Sequence, residues 1–60
     1  MKSIEYRAVY QSPSGRVVDN KFEVVAKDIN SGFRKAVEKA LRDTASRWEI
    51  HSVEFVQVLS

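Results

Sequence analysis

The sequence predicts an α+β fold in which two strands, one helix and a third strand form a single domain, residues 1–60. Residues 2–10 alternate between apolar and polar side chains, which is the period of a half-buried strand. Residues 31–46 space their apolar side chains three and four apart, as one face of a helix requires. The segment from residue 49 is rich in Val, Ile and Phe, which favour strands. We therefore expect a β-β-α-β order, with a three-stranded antiparallel sheet and one amphipathic helix packed on one face.

The first two strands are predicted to form a hairpin. The segment 2–10 places Ile4, Tyr6, Ala8 and Tyr10 on one face of the first strand. The turn that follows, QSPSG at residues 11–15, holds a proline that fixes φ and a glycine that tolerates positive φ. The second strand, residues 16–27, directs Phe22, Val24 and Ala26 to one face. Asp19 and Asn20 interrupt its apolar pattern and predict a bulge or a break in this arm.

The helix is predicted to run from about Ser31 to Ser46. Asn30 or Ser31 is the expected N-cap, because a short side-chain oxygen there accepts a hydrogen bond from an otherwise unpaired helix N–H. The predicted buried stripe comprises Phe33, Ala36, Val37, Ala40, Leu41, Thr44 and Ala45. Trp48 extends this stripe or closes the end of the core.

The third strand, EIHSVEFVQVL at residues 49–59, leaves two questions open. Strict alternation places Val53, Phe55 and Leu59 on one face and Ile50, Val56 and Val58 on the other. The pattern does not determine whether this strand pairs with the first strand or with the second.

The two faces of the sheet have different predicted roles. The face that packs on the helix is predicted to carry Ile4, Tyr6, Ala8, Phe22, Val24, Val53 and Phe55. The opposite face, here called the open face, mixes the charged residues Glu5, Arg7, Glu23, Lys27 and Glu54 with Val9, Val25, Val56 and Val58. One helix covers one face only, and a chain of 60 residues has a marginal core. These four valines are therefore either solvated singly or form an interface with a second copy or a partner protein.

The composition excludes several kinds of chemistry. The chain has no cysteine and one histidine, His51, so it has no disulfide and too few ligands for a structural zinc site. His51 lies at the start of a strand with no glycine-rich turn beside it, so we expect no Ser-His-Asp catalysis. Neither glycine belongs to a Walker phosphate-binding motif. We therefore expect no enzymatic activity, no catalytic residue, no metal and no cofactor.

The sequence also bears on location. It contains no run of about 20 apolar residues, the length that a membrane-spanning helix needs. The N-terminal segment alternates and lacks the continuous apolar stretch of a signal peptide. We therefore expect a cytoplasmic protein with no membrane partner.

The predicted helix carries most of the surplus positive charge. Residues 33–48 have a net charge of +3 and the rest of the chain has −1. Arg34, Lys35, Lys39 and Arg42 are the candidate residues for binding phosphate or an acidic protein surface. Acidic residues at i,i+4 spacing, Glu38 and Asp43, are equally typical of a solvated, ion-paired helix face. Both interpretations remain open from the sequence.

One segment of the chain resembles part of a nucleic-acid-binding family. SGFRKAVEKAL, residues 31–41, is similar to the start of the second helix of double-stranded-RNA-binding domains, where a Ser, paired basic residues and an Ala-rich stripe follow a strand hairpin. This resemblance implies that Arg34, Lys35 and Lys39 contact phosphates. That family places a helix before its strands and ends on this helix. This chain has no first helix and adds a strand, so the resemblance covers less than a third of it.

The whole-chain order YRAVY, FEVVAKD, FRKAVEKAL and IHSVEFVQVL resembles short β-β-α-β units of an archaeal large-subunit ribosomal protein family. It is equally similar to very small phage-encoded proteins that inhibit host machinery, some anti-CRISPR proteins among them. What these groups share is topology and an Ala-rich helix. The phage resemblance implies an inhibitor that occupies a site on a host complex, often one meant for nucleic acid. It implies no particular residues.

Together these features predict a small interaction module that regulates or inhibits a larger assembly by protein–protein contact. A homodimer or a subunit of a complex is the expected state, with Val9, Val25, Val56 and Val58 as the interface. Nucleic-acid binding through the basic helix residues is the alternative. The two hypotheses differ in salt response, because affinity for phosphates falls steeply with salt.

Overall fold

The computed structural model describes residues 1–43 and 48–60. Its elements are the strands β1 (Lys2–Gln11), β2 (Val17–Ala26) and β3 (Glu49–Val58) and the helix α1 (Ile29–Asp43). The three strands form one sheet in the order β2-β1-β3, and β1 pairs antiparallel with both neighbours. The predicted β-β-α-β α+β fold is therefore confirmed. The structure also answers the pairing question, because β3 pairs with β1.

The β1–β2 hairpin is regular along its whole length. Its register runs without a shift from Lys2 opposite Ala26 to Gln11 opposite Val17, so the bulge predicted at Asp19 and Asn20 is not there. The turn follows the prediction more closely. Gly15 has a φ of 89°, in the left-handed region that glycine tolerates best.

Strand β3 is the irregular strand. Its register against β1 shifts twice, and each shift leaves one residue, Val56 or His51, without a partner. The cross-strand pairs on the helix side are Ile4 with Val58, Tyr6 with Phe55, Ala8 with Val53 and Tyr10 with Ile50. At each shift the following side chains move to the face opposite to the one that strict alternation predicts. The predicted division of the β3 side chains between the two faces is therefore wrong. Ile50 and Val58 lie on the same face as Val53 and Phe55, not opposite to them.

Helix α1 packs on the central strand, β1, through small residues. Gly32, Ala36 and Ala40, spaced four apart, are the buried residues of the helix. They allow the helix to approach Ile4 and Tyr6 closely, and both of these side chains are fully buried. A Cβ on Gly32 would lie 3.2 Å from Cε2 and Cζ of Tyr6, and closer to its hydroxyl.

The predicted buried stripe of the helix is only partly correct. Ala36 and Ala40 are buried and Val37 is half-buried, whereas Phe33 is 41% and Leu41 is 64% exposed. The helix contacts the sheet through its small residues, and this orientation turns the larger side chains towards one flank. The predicted stripe positions 44 and 45, and the predicted helix end at residue 46, lie outside the described residues.

Asp28 begins the helix, two residues before the earlier of the two predicted caps. Its carboxylate Oδ1 accepts a hydrogen bond of 2.8 Å from the Ser31 backbone N–H, and its carbonyl accepts one of 2.9 Å from Gly32 N–H. Asp28 is therefore the N-cap, and the prediction of Asn30 or Ser31 is wrong. The hydrogen bonds from Ser31 lower the pKa of Asp28 below the ordinary value of an aspartate.

We expect Asp28→Ala to lower the melting temperature at neutral pH, because the Ser31 N–H loses its carboxylate acceptor and the N-terminus of the helix loses a negative charge. The folded-state pKa is depressed, so the ionised cap stabilises above the unfolded pKa of about 3.9 and this stabilisation is lost as the pH falls through the folded value. Thermal melts of wild type and variant should therefore converge at low pH. Asp28→Asn, which keeps a capping oxygen, is the matched control. A difference between wild type and Asp28→Ala that persists unchanged into strong acid would contradict this assignment.

Candidate functional site

The open face of the sheet is a polar surface. Arg7 Nε donates to Glu54 Oε2 across 3.1 Å, and Gln57 Nε2 donates to Glu5 Oε1 across 2.9 Å. The Ser3 hydroxyl donates to Glu23 on the other side of β1. These cross-strand contacts leave little continuous apolar area on the open face.

The structure does not bring the four candidate valines together. Val9 is half-buried on the open face between Asp19 and Ser52, and Val25 is 54% exposed opposite Ser3. The two positions lie six residues apart along β1, which corresponds to roughly 20 Å. Val58 pairs with the buried Ile4 and lies on the helix side, so its predicted place on the open face is wrong. Val56 lies at one of the register shifts of β3.

Two of the four candidate basic residues hold the helix against β2. Lys35 Nζ donates to the Val25 carbonyl oxygen across 3.0 Å. Lys39 Nζ lies 5.8 Å from the centroid of the Phe22 ring and 3.3 Å from Asp43 Oδ2, in the i,i+4 ion pair that the sequence predicts. These side chains therefore have structural contacts of their own.

Arg34 and Arg42, the other two candidates, lie on the exposed surface of α1. Neither forms an ion pair with another residue in the part of the chain that the structure describes. Of the four candidate residues, the two lysines therefore have contacts within the described chain, and the two arginines are exposed and could bind a partner.

Exposed and half-buried apolar side chains run along one side of α1 and continue onto β3. We call this surface the apolar strip and define it as Ile29, Phe33, Val37 and Leu41 of α1 with Phe55 and Val58 of β3. Its helical members stand four apart, so they form one row along the helix. Positions two apart, such as Phe33 and Lys35, lie about 200° apart around the axis. Because Lys35 and Lys39 overlie β2, the row of apolar residues lies on the side of α1 that faces β3.

Tyr6 joins the two halves of the apolar strip. Its ring centroid lies 6.3 Å from that of Phe33, in a tilted arrangement, and 6.2 Å from that of Phe55, in an edge-to-face arrangement. Its hydroxyl donates to the Ile29 carbonyl oxygen across 2.7 Å. Tyr6 is fully buried, whereas Phe33 and Phe55 remain 41% and 44% exposed. The two phenylalanines therefore flank a buried tyrosine and present their outer edges to solvent.

The apolar strip is exposed along its length. Four of its members are between 41% and 44% exposed and Leu41 is 64% exposed. A contiguous exposed apolar patch on a protein surface often marks an interaction site. No side chain of the strip is charged, whereas the open face is crossed by an ion pair and by a hydrogen bond to a carboxylate.

The described residues do not form a candidate metal centre. Within residues 1–43 and 48–60, no three His, Asp or Glu side chains are grouped so that they could hold a metal ion. His51 is exposed at a register shift of β3. Over the same residues, no helix has the length and apolar character needed to cross a membrane.

Sequence reasoning missed the apolar strip because it assigned Phe33, Leu41 and Phe55 to the core. The available signal was the Gly32, Ala36, Ala40 row, which marks where a helix comes closest to its neighbour. If this row is taken as the centre of the contact between helix and sheet, helical geometry places Phe33 and Leu41 to one side of that contact.

Comparison of the chain with protein-family models, with curated proteins and with solved structures finds no significant match.

Proposed function

We propose that this chain is a non-enzymatic interaction module that regulates or inhibits a larger assembly by binding a partner protein through the apolar strip. The observation that carries the proposal is the joining of exposed apolar rows from α1 and β3 around the buried Tyr6. The surface is formed by two elements that pack on one core, so it is presented without rearrangement. A preformed surface lowers the ordering entropy lost on binding.

The chemistry of the strip indicates its partner. Phe33 and Phe55 are the candidate anchors, because aromatic side chains are enriched at the centres of protein interfaces. Arg34 follows Phe33 and lies on the solvent side of the row, where it is available for an ion pair at the rim. We therefore propose that the partner presents an apolar surface with acidic side chains at its border.

Nucleic-acid binding through Arg34, Lys35, Lys39 and Arg42 is the competing proposal. Lys35 and Lys39 would have to give up the contacts with Val25 and Asp43 in order to bind phosphates fully. The apolar strip would stay exposed in such a complex, and nothing in phosphate binding accounts for it. For these two reasons protein binding is the stronger proposal.

The test compares immobilised variants for capture of partner proteins from a nuclease-treated extract of the source cells. We expect wild type to retain a defined protein, and Phe55→Lys and Phe33→Lys to reduce its recovery at least tenfold, because each places an ammonium group inside an apolar contact. Val25→Lys is the matched control, since Val25 is exposed on the open face, outside the strip. It should retain wild-type recovery.

Two outcomes would contradict the proposal. Equal recovery with Phe55→Lys and wild type would show that the strip is not the contact surface. Binding of RNA or duplex DNA that weakens steeply between low and moderate salt, and that is lost in Arg34→Glu with Arg42→Glu, would favour the phosphate-binding alternative.

A further inference from the structure

The outer edge of β2 carries a row of backbone groups that pair with no other strand in residues 1–43 and 48–60. Ser3 directs its N–H to the Ser60 carbonyl and its carbonyl to the Leu59 N–H, both on the β3 side. In an antiparallel ladder the N–H and C=O of one residue point the same way and alternate along the strand. Val25, opposite Ser3, therefore points its backbone groups away from β1, and the hydrogen bond from Lys35 to its carbonyl agrees.

The same alternation applies to every second residue of β2. The outward backbone groups belong to Val17, Asp19, Lys21, Glu23 and Val25. Lys35 occupies the carbonyl of Val25. The four preceding residues form an uninterrupted edge, because the β1–β2 register has no shift. A long regular edge of this kind is a template for pairing with another strand.

The opposite edge of the sheet differs in this respect. The register of β3 shifts at Val56 and at His51, and such irregularities interrupt the even spacing that a new strand needs. Strand pairing is therefore favoured at β2, while the apolar strip lies at the β3 side of the molecule.

The charges on β2 have no opposite charge directly across from them within the chain. Lys21 stands opposite Arg7, and Glu23 stands opposite Glu5. Like charges directly opposite each other in a sheet are destabilising. The free side of β2 is where an opposite charge could be supplied.

We infer that β2 pairs antiparallel with β2 of a second copy of this chain, in the register that places Asp19 of each copy opposite Lys21 of the other. A continuous six-stranded sheet results. The register uses the outward groups of residues 17 to 23 and leaves the contact between Lys35 and Val25 intact. It places a carboxylate directly opposite each Lys21, where β1 of the same chain places Arg7.

The neighbouring registers are disfavoured because they pair like charges or need a carbonyl that already accepts a hydrogen bond. A slip of one hydrogen-bonded step in one direction places Asp19 opposite Asp19, and a slip in the other direction places Lys21 opposite Lys21. A further slip brings Lys21 opposite Glu23, but it requires the Val25 carbonyl that Lys35 already occupies. The alternating signs therefore select one pairing.

The exposed apolar residues of the hairpin arm support the same pairing. Val17 is 59% exposed on the open face, and Val18 is 37% exposed on the helix side of the sheet. In the inferred register, Val18 of one copy stands opposite the half-buried Phe22 of the other, on the same face of the joined sheet. The second copy thus covers apolar surface that the helix does not reach.

Sedimentation equilibrium with charge variants tests the inference. We expect wild type to have twice its chain mass of 6.9 kDa at high concentration. Asp19→Lys and Lys21→Asp should each raise the dimer dissociation constant about tenfold or more, since each makes both central pairs repulsive. An equimolar mixture of the two variants should recover the dimer, because lysines then face aspartates again. Glu49→Lys, the same charge change as Asp19→Lys but on β3, should remain dimeric.

Circular dichroism of each variant shows whether it is folded, so loss of the dimer is not confused with unfolding. The inference is overturned if wild type stays monomeric up to about 1 mM, if Asp19→Lys dimerises as well as wild type, or if the mixture of variants remains monomeric. It does not depend on the proposed function, because the two charge variants leave the apolar strip unchanged. If wild type is a monomer and Phe55→Lys no longer captures the partner protein, the dimer is refuted and the proposed function stands.

Discussion

Tyr6→Ala is expected to leave the chain largely unfolded at 37 °C. Tyr6 is fully buried at the centre of the core, contacts Phe33 and Phe55, and donates its hydroxyl to the Ile29 carbonyl. Truncating a buried aromatic residue costs about 3–5 kcal/mol. That is comparable to the whole stability of a 60-residue domain, roughly 3–9 kcal/mol at 0.05–0.15 kcal/mol per residue. Urea denaturation followed by far-UV circular dichroism measures the loss.

Two variants separate the contributions of Tyr6. Phe55→Ala removes an aromatic ring from the same face but from a position that is 44% exposed, so it should cost much less than Tyr6→Ala. Tyr6→Phe removes only the hydroxyl and its hydrogen bond, with an expected loss of about 1 kcal/mol. Burial raises the pKa of Tyr6, so the hydroxyl stays protonated and donating above the pH at which an exposed tyrosine ionises. Equal losses for Tyr6→Ala and Phe55→Ala would contradict the central place given to Tyr6.

Gly32→Val is expected to destabilise the chain by about 3 kcal/mol through overpacking. Even the first carbon of a side chain at Gly32 would lie 3.2 Å from Cε2 and Cζ of the Tyr6 ring. The ring cannot easily move away, because it is buried and tied to Ile29 by its hydroxyl. The helix would therefore have to rise from the sheet. Denaturant titration of the purified variant measures the effect.

Asn30→Val is the matched control, because it introduces the same β-branched residue at an exposed position of the same helix turn. It should cost only the helix-propensity difference, a few tenths of a kcal/mol. Combining Gly32→Val with Tyr6→Phe removes the atom nearest to the new side chain. The double variant should therefore lose less stability than the two single variants lose in sum. Strict additivity would show that Gly32 and Tyr6 do not pack as described.

The order of elements follows from sequence because periodicity reports which face of each element is buried. The alternation of Ile4, Tyr6 and Ala8 and the spacing of Ala36 and Ala40 each specify one buried row, and the structure confirms both rows. Local pattern is enough where a segment stays regular over its length.

The surfaces were harder to predict because they depend on the few positions at which regularity is lost. Two single-residue shifts in β3 moved Val58 from the predicted open face to the helix side, and no residue in EIHSVEFVQV marks them plainly. The rotation of α1 about its axis was set by the tertiary packing of Gly32 against Tyr6. Helical spacing alone did not distinguish a row centred on Gly32 from one centred on Phe33.

The two inferred interaction surfaces lie on different elements. The apolar strip is formed by α1 and β3, and the pairing edge is β2. The open face carries polar contacts between β1 and β3. A dimer joined through β2 would present two apolar strips, one at each end of the six-stranded sheet. Such a dimer would bind a partner assembly with two copies of one site, and the effective concentration of the second contact would strengthen binding.

The most direct test of the interaction proposal is site-specific photo-crosslinking in the source cells. A photoreactive amino acid is placed at position 55 in the apolar strip, at position 25 on the open face, or at position 42 on the basic side of the helix. The account predicts a crosslink from position 55 to one defined protein, insensitive to nuclease, and no crosslink to that protein from position 25. A crosslink to nucleic acid from position 42, with none to protein from position 55, would contradict it.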